Sequence, residues 1–144
     1  MRKLLTALIL GAALMVFFGN TLAGEKAYVP EDNEELYGTW VNMDYKPNAH
    51  PRQKVISYPG EWAAYGSAES ETATETGTHK ITDKWTDSEG NIWYKCEVSF
   101  TIQKVYELDK ISNSGKTWEF VFSYSKYPTK IDPGDAEYHI YHRK

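Results

Sequence analysis

The sequence predicts an all-β protein: an antiparallel up-and-down β-barrel of about eight strands, with a short N-terminal helical turn before the first of them. Three observations carry that expectation. Short runs rich in Val, Ile, Thr, Tyr, Phe and Trp recur along the chain with turn residues between them. One run, 92–100, alternates strictly, with Ile92, Tyr94, Cys96, Val98 and Phe100 on one face and Trp93, Lys95, Glu97 and Ser99 on the other. No long segment has a helical period, and no internal repeat points to a propeller or solenoid. Strands at such spacing form a sandwich or a barrel, and a barrel removes the exposed sheet edges.

Residues 1–23 are set apart from this fold. Arg2 and Lys3 precede an uncharged apolar stretch over 4–18, and Thr21-Leu22-Ala23 puts small residues where a signal peptidase reads. The stretch is shorter than the roughly 20 apolar residues a membrane-spanning helix needs. The expectation is therefore an export signal, 1–23, ahead of one domain, 24–144, with no membrane span after cleavage and a periplasmic or secreted location. A lipid anchor requires Cys after Leu22-Ala23-Gly24, and Glu25 stands there instead. The whole chain of 144 residues has a net charge of -4. Residues 24–144 keep all 20 acidic residues and lose two of the 16 basic ones, so the domain is acidic and nothing suggests nucleic-acid binding. A single cysteine excludes an intrachain disulfide.

The elements follow in order. The acids Glu31, Asp32, Glu34 and Glu35 suit a helix N-terminus and place the helical turn at 30–36. Strand one covers 37–43, and a loop with Pro47, Asn48 and Pro51 follows. Strands at 52–58 and 61–66 flank the Pro59-Gly60 turn. The polar stretch 67–77 reads as an exposed loop or weak edge, and 78–86 as the fourth strand. Residues 87–91 form a hairpin turn before the run at 92–100. No turn residue separates Phe100 from the next strand, 105–111, so either one strand bends through a bulge or a tight hairpin forms without glycine. Asn113-Ser114-Gly115-Lys116 is a further hairpin turn. Trp118, Phe120, Phe122 and Tyr124 then alternate, a loop with Pro128 and Pro133 follows, and 137–143 is the last strand.

Gly38-Thr39-Trp40 stands at the start of strand one, after the turn, and Arg143 closes the last strand. This pairing resembles the lipocalins and the wider calycin superfamily, and the chain is similar to a small bacterial lipocalin-like protein. The resemblance implies that Gly38 lets the chain turn in tightly, that Trp40 plugs the closed end of the barrel, and that Arg143 packs across its indole. The disulfides and the Asp-containing loop motif of typical secreted lipocalins are not evident, and the chain is shorter than theirs.

The aromatic residues, 15% of the chain, carry the functional expectation. Alternation turns Trp40, Tyr94, Phe100, Tyr106, Trp118, Phe120, Phe122 and Tyr124 inward. They either line a pocket for a small hydrophobic or amphipathic ligand or fill the interior, since about eight strands leave room for one or the other. The alternative function is a filled barrel that binds or inhibits another protein through the loops at 67–77 and 126–136. No protein partner is identified by the sequence.

Catalytic, cofactor and metal motifs are not evident, and an enzyme is not expected. His79, Ile81, Asp83 and Trp85 share one strand face, but His79 and Asp83 are roughly 13 Å apart on a strand. His139 and His142 point to opposite faces, His50 lies in the Pro-rich loop, and Cys96 reads as an inert core thiol. Outward Lys80, Lys84, Lys95, Glu97 and Glu119 argue against a lipid-facing barrel wall.

Overall fold

A computed structural model describes residues 27–42, 52–100 and 103–144. The expected export signal and His50 lie outside these residues. Eight antiparallel strands close a barrel in chain order: β1 (Gly38–Val41), β2 (Lys54–Tyr58), β3 (Gly60–Tyr65), β4 (Glu75–Thr86), β5 (Ile92–Phe100), β6 (Gln103–Ile111), β7 (Thr117–Ser123) and β8 (His139–Arg143). Every strand pairs with its neighbour in sequence, and β8 returns to β1 through Trp40↔Arg143 and Val41↔His142. The architecture is compatible with a lipocalin-like barrel.

The open choice after Phe100 resolves as a hairpin. Phe100 pairs with Gln103, so only residues 101 and 102 connect β5 to β6. β4 begins three residues earlier than its polar composition suggested, because Glu75, Thr76 and Gly77 pair with Ala64, Ala63 and Trp62. Residues 30–36 form turns and no helix; the Tyr37 N–H bonds the Glu34 carbonyl at 3.0 Å, three residues back. Of the acids that suit a helix N-terminus, Glu34 and Glu35 are instead drawn to side chains at the barrel base, described below.

The lower end of the barrel is plugged as the Gly-x-Trp pattern implied. Trp40 is fully buried, its Nε1 donates to the Leu36 carbonyl at 2.9 Å, and the Arg143 guanidinium lies 4.0 Å from the centre of its ring. Arg143 keeps its donors for backbone carbonyls of Tyr37 at 2.8 Å, Glu35 at 2.5 Å and Gly115 at 3.0 Å. Gly38 sits at φ +127°, and a Cβ there would meet Arg143 Nη1 at 2.6 Å. The glycine therefore serves both a left-handed turn and the close approach of the arginine.

A β-bulge reverses the faces of β4. Ile81 pairs with Cys96 but Asp83 pairs with Lys95, so Thr82 is an extra residue in the strand. Above it His79 and Ile81 point inward, and below it Lys84 does. The expectation that His79, Asp83 and Trp85 share a face, and that Lys84 points outward, is corrected: Asp83 and Trp85 lie outside, where Trp85 stacks on Trp93 at 6.0 Å. Strict period-2 reading fails because a bulge shifts parity by one.

Two of the expected interior aromatics are also outside. On β6 the inward positions are Val105, Glu107, Asp109 and Ile111, so Tyr106 faces out and packs edge-on against Tyr127 at 5.1 Å. Tyr124 lies past the end of β7 and is 55% exposed. The segment between β7 and β8 covers this outer wall. The Tyr127 hydroxyl bonds Thr82 Oγ1 at 2.8 Å, and Tyr138 donates to Glu119 at 2.7 Å. Outward Leu108 and Val121 are buried in consequence. The described residues include no helix long and apolar enough to cross a membrane.

Gly77 marks the tightest spot in the wall. A Cβ there would stand 2.0 Å from the Ser99 carbonyl oxygen and 2.4 Å from Trp62 Nε1, which itself donates to that carbonyl at 3.1 Å. Gly77→Ala is expected to destabilise by about 1–3 kcal/mol through overpacking, measured by urea denaturation. An unchanged midpoint would show that β4 moves aside freely.

Candidate functional site in the barrel interior

The interior is mostly filled. Among the described residues, a cavity of about 40 Å³ is walled by Val55, Trp62, Val98, Phe100, Trp118, Phe120, Phe122 and Tyr141 and edged by the polar groups of Arg52, Ser57, His79, Glu107 and His139. Of the expected interior aromatics, Phe100, Trp118, Phe120 and Phe122 meet here, while Tyr94 and Trp40 lie in the plug beneath. His139 and His142 lie on opposite faces as expected, and His139 stacks on Phe120 at 4.9 Å and on Phe122 at 5.9 Å.

At the upper end Arg52 is held by a two-pronged bond to Glu75, at 2.8 and 3.0 Å, and its guanidinium lies 4.6 Å from the Phe100 ring centre. Bidentate pairing fixes the plane of the guanidinium, so its apolar face is laid against the aromatic wall.

Deeper in the barrel the wall carries four titratable groups: His79 on β4, Cys96 on β5, and Glu107 and Asp109 on β6. The pairing Ile81↔Cys96↔Glu107 and the diagonal offsets of His79 and Asp109 bring them to one level. One donor atom each from His79, Cys96 and Asp109 lies within 4.8 Å of the others, and among the described residues this is the group that could hold a metal ion. Ser57 Oγ is 3.0 Å from His79 Nδ1, and Trp118 Nε1 donates to Asp109 Oδ1 at 2.7 Å. His79 Nε2 and Asp109 Oδ2 are buried without a hydrogen-bond partner.

Burial governs the charge state of this group. It lowers the His79 imidazole to about 4, so the ring is neutral at ordinary pH. It raises the Cys96 thiol well above its usual range, with Asp109 and Glu107 adding to the effect. It raises Glu107 likewise, reinforced by the neighbouring Asp109. Asp109 is lifted to about 6, with Glu107, Trp118 and Cys96 partly offsetting the desolvation. A thiol held in its protonated form is a poor nucleophile.

Sequence reading placed Cys96 correctly in the core but did not join it to His79 and Asp109. Asp109 had an available signal, since 105, 107, 109 and 111 alternate and put two acids on the inward face of one strand. The partnership with His79 depends on barrel closure and pairing register, which no local pattern reports.

A second polar group closes the base. Lys84 Nζ lies 2.7 Å from Glu34 and 2.8 Å from Glu35, and the Tyr94 hydroxyl sits 2.7 Å from Glu35 and 3.1 Å from Glu34. Tyr28 donates to Glu34 as well. Burial raises the Glu35 carboxyl, but the bonds from Lys84 and Tyr94 outweigh it and hold it at about 2. Glu34 is lowered in the same way by Lys84, Tyr28 and its backbone bond. These groups are paired with one another, so the base is a structural clasp.

A comparison with protein-family models, curated proteins and solved structures finds no match to this chain.

Proposed function

We propose that this protein is an exported lipocalin-like binding protein that takes a small amphipathic ligand into the upper half of its barrel and catalyses no reaction. The observation that supports this is the aromatic cavity with polar groups at its edge, where Arg52, Glu107 and His139 would orient a polar head and Trp62, Phe100, Trp118 and Phe122 would cover an apolar body. The plugged base leaves the opposite end as the way in. Export rests on the character of residues 1–23.

Size sets the class of ligand. A space of about 40 Å³ holds one or a few water molecules, whereas ordinary ligand pockets run to roughly 300–1,000 Å³. A long lipid does not fit this interior. A single small ring fits once half-buried side chains at the upper end swing outward, and Phe100, Phe122 and Arg52 occupy that position. The unmatched thiol chemistry of Cys96, protonated and enclosed, supports binding over catalysis.

Native mass spectrometry of protein purified from its own source is expected to show a retained small organic mass. A single-ring probe, 4-nitrophenol, should quench the cavity tryptophans, Trp62 and Trp118. Val98→Phe fills the cavity from its wall, and probe binding is expected to weaken about tenfold or more, the loss of roughly 1.4 kcal/mol. Undiminished binding by a folded Val98→Phe protein, or no bound mass and no quenching in the parent, would overturn the reading.

A further inference from the structure

His79, Cys96 and Asp109 converge from three adjacent strands, and two of their polar atoms, His79 Nε2 and Asp109 Oδ2, are buried and make no hydrogen bond. A buried acceptor without a partner costs about 1–3 kcal/mol. Two of them in one cluster call for a partner that both can share. From this geometry we propose that the three residues form a binding site for a divalent transition cation of the zinc type, built into the barrel wall beside the cavity.

The donor set selects the kind of ion. A thiolate, an imidazole and a carboxylate are the ligands of zinc and its neighbours, while calcium and magnesium take oxygen alone. Ligands bound to tetrahedral zinc at about 2.0–2.3 Å stand roughly 3.3–3.8 Å from one another. The three donor atoms lie within 4.8 Å of one another, so closing on the ion requires a movement of only about 1 Å.

The surroundings are those of a prepared site. Ser57 engages His79 Nδ1, which leaves Nε2 as the ligating nitrogen, and Trp118 engages Asp109 Oδ1, which leaves Oδ2. Such outer contacts fix the orientation of metal ligands. Charge also balances. A thiolate and a carboxylate around a dication sum to zero, so the loaded site buries no net charge. Arg52, the guanidinium that faces the same interior, is committed to Glu75. On binding, Cys96 releases its thiol proton to solvent and the sulfur becomes a ligand. Three protein ligands leave one tetrahedral position, and His79 borders the cavity, so a water from that side can complete the shell without changing the charge balance.

This inference stands apart from the amphipathic-ligand reading, because probe binding reports the cavity and the metal reports the wall. The test is titration of the full domain with Zn²⁺ and Co²⁺. One equivalent of Zn²⁺ is expected to remain through gel filtration. Co²⁺ is expected to give an intense sulfur-to-metal charge-transfer band in the near ultraviolet, which Zn²⁺ then removes. The chain has one cysteine, so any such band reports Cys96 without need of a variant. His79→Ala should abolish retention of the ion, and Ser57→Ala, a change in an outer contact, should weaken it about tenfold or more. His142→Ala, on the outward face of β8, should bind as the parent does. The proposal is overturned if the parent retains no Zn²⁺, if bound Co²⁺ shows no sulfur band, or if folded His79→Ala protein retains the full equivalent.

Discussion

Trp40→Ala is expected to destabilise the barrel by about 3–5 kcal/mol, the range for losing a large buried aromatic. Trp40 is fully enclosed, tilts against Trp118 at 5.7 Å and carries the stacked guanidinium of Arg143. Its removal leaves a hole at the base of the core and strips Arg143 of the surface that positions it. Because Arg143 bonds the carbonyls of Glu35 and Tyr37 before β1 and of Gly115 in the β6–β7 turn, two chain segments then lose a common anchor. The measurement is the free energy of unfolding in urea. A cost below about 1 kcal/mol would show that the base is closed by something else.

Lys84→Met has the second largest expected effect. The Glu34 side chain is only 1% exposed and Lys84 is 24% exposed. Removing one partner of a buried pair costs about 3–5 kcal/mol, because the other charge is left uncompensated. Partial exposure of Lys84 places this case near the lower limit. The pH dependence separates this clasp from simple packing. Glu35 titrates at about 2 in the folded chain against an ordinary 4.5, and Glu34 is lowered too. Groups lowered on folding add stability that is complete above the unfolded value and is lost as pH falls. The two glutamates therefore withdraw stability from about pH 4.5 toward pH 2, read as the difference between the parent profile and that of Lys84→Met, in which the contributions of His79, Glu107 and Asp109 cancel. In Lys84→Met the carboxyls lose their chief hydrogen-bonding cation, so their folded values should rise and this acid-dependent loss should shrink or change sign. An acid profile identical to that of the parent would mean that Lys84 does not hold the two glutamates.

The strand order was legible in the sequence because alternation and turn residues are local signals, and the plug because Gly38, Trp40 and Arg143 resemble the lipocalin pattern. Alternation in Ile92–Phe100 and the turn residues at 87–91 and 113–116 report nothing but near neighbours. The Gly38, Trp40 and Arg143 pattern carried the closure. Legibility ended where parity changed. Thr82 adds one residue to β4, and no composition marks it, so Lys84 and Trp85 exchanged sides. Alternation placed Tyr106 and Tyr124 inside, but Glu107 and Asp109 take the inward positions of β6 with Tyr127 covering Tyr106 from outside, and β7 ends at Ser123, one residue before Tyr124. The interior cluster was the least legible feature. It joins an imidazole, a thiol and a carboxylate 13 to 30 residues apart in sequence, and only the pairing register brings them together.

The seam between β1 and β8 has a consequence for how the barrel is made. Seven of the eight strand pairings join consecutive strands and can form as soon as each hairpin exists. The eighth pairs Trp40 with Arg143 and Val41 with His142, across nearly the whole described chain and over only two residue pairs. Non-local pairings of this kind are slow, since the loop entropy is lost before the contact is gained. Until β8 docks, β1 and β7 each present an unpaired backbone row, the template on which one unfinished chain adds to another. The moment of greatest aggregation risk is thus the interval between the seventh strand and the eighth, and the stacking of Arg143 on Trp40 is the latch that ends it.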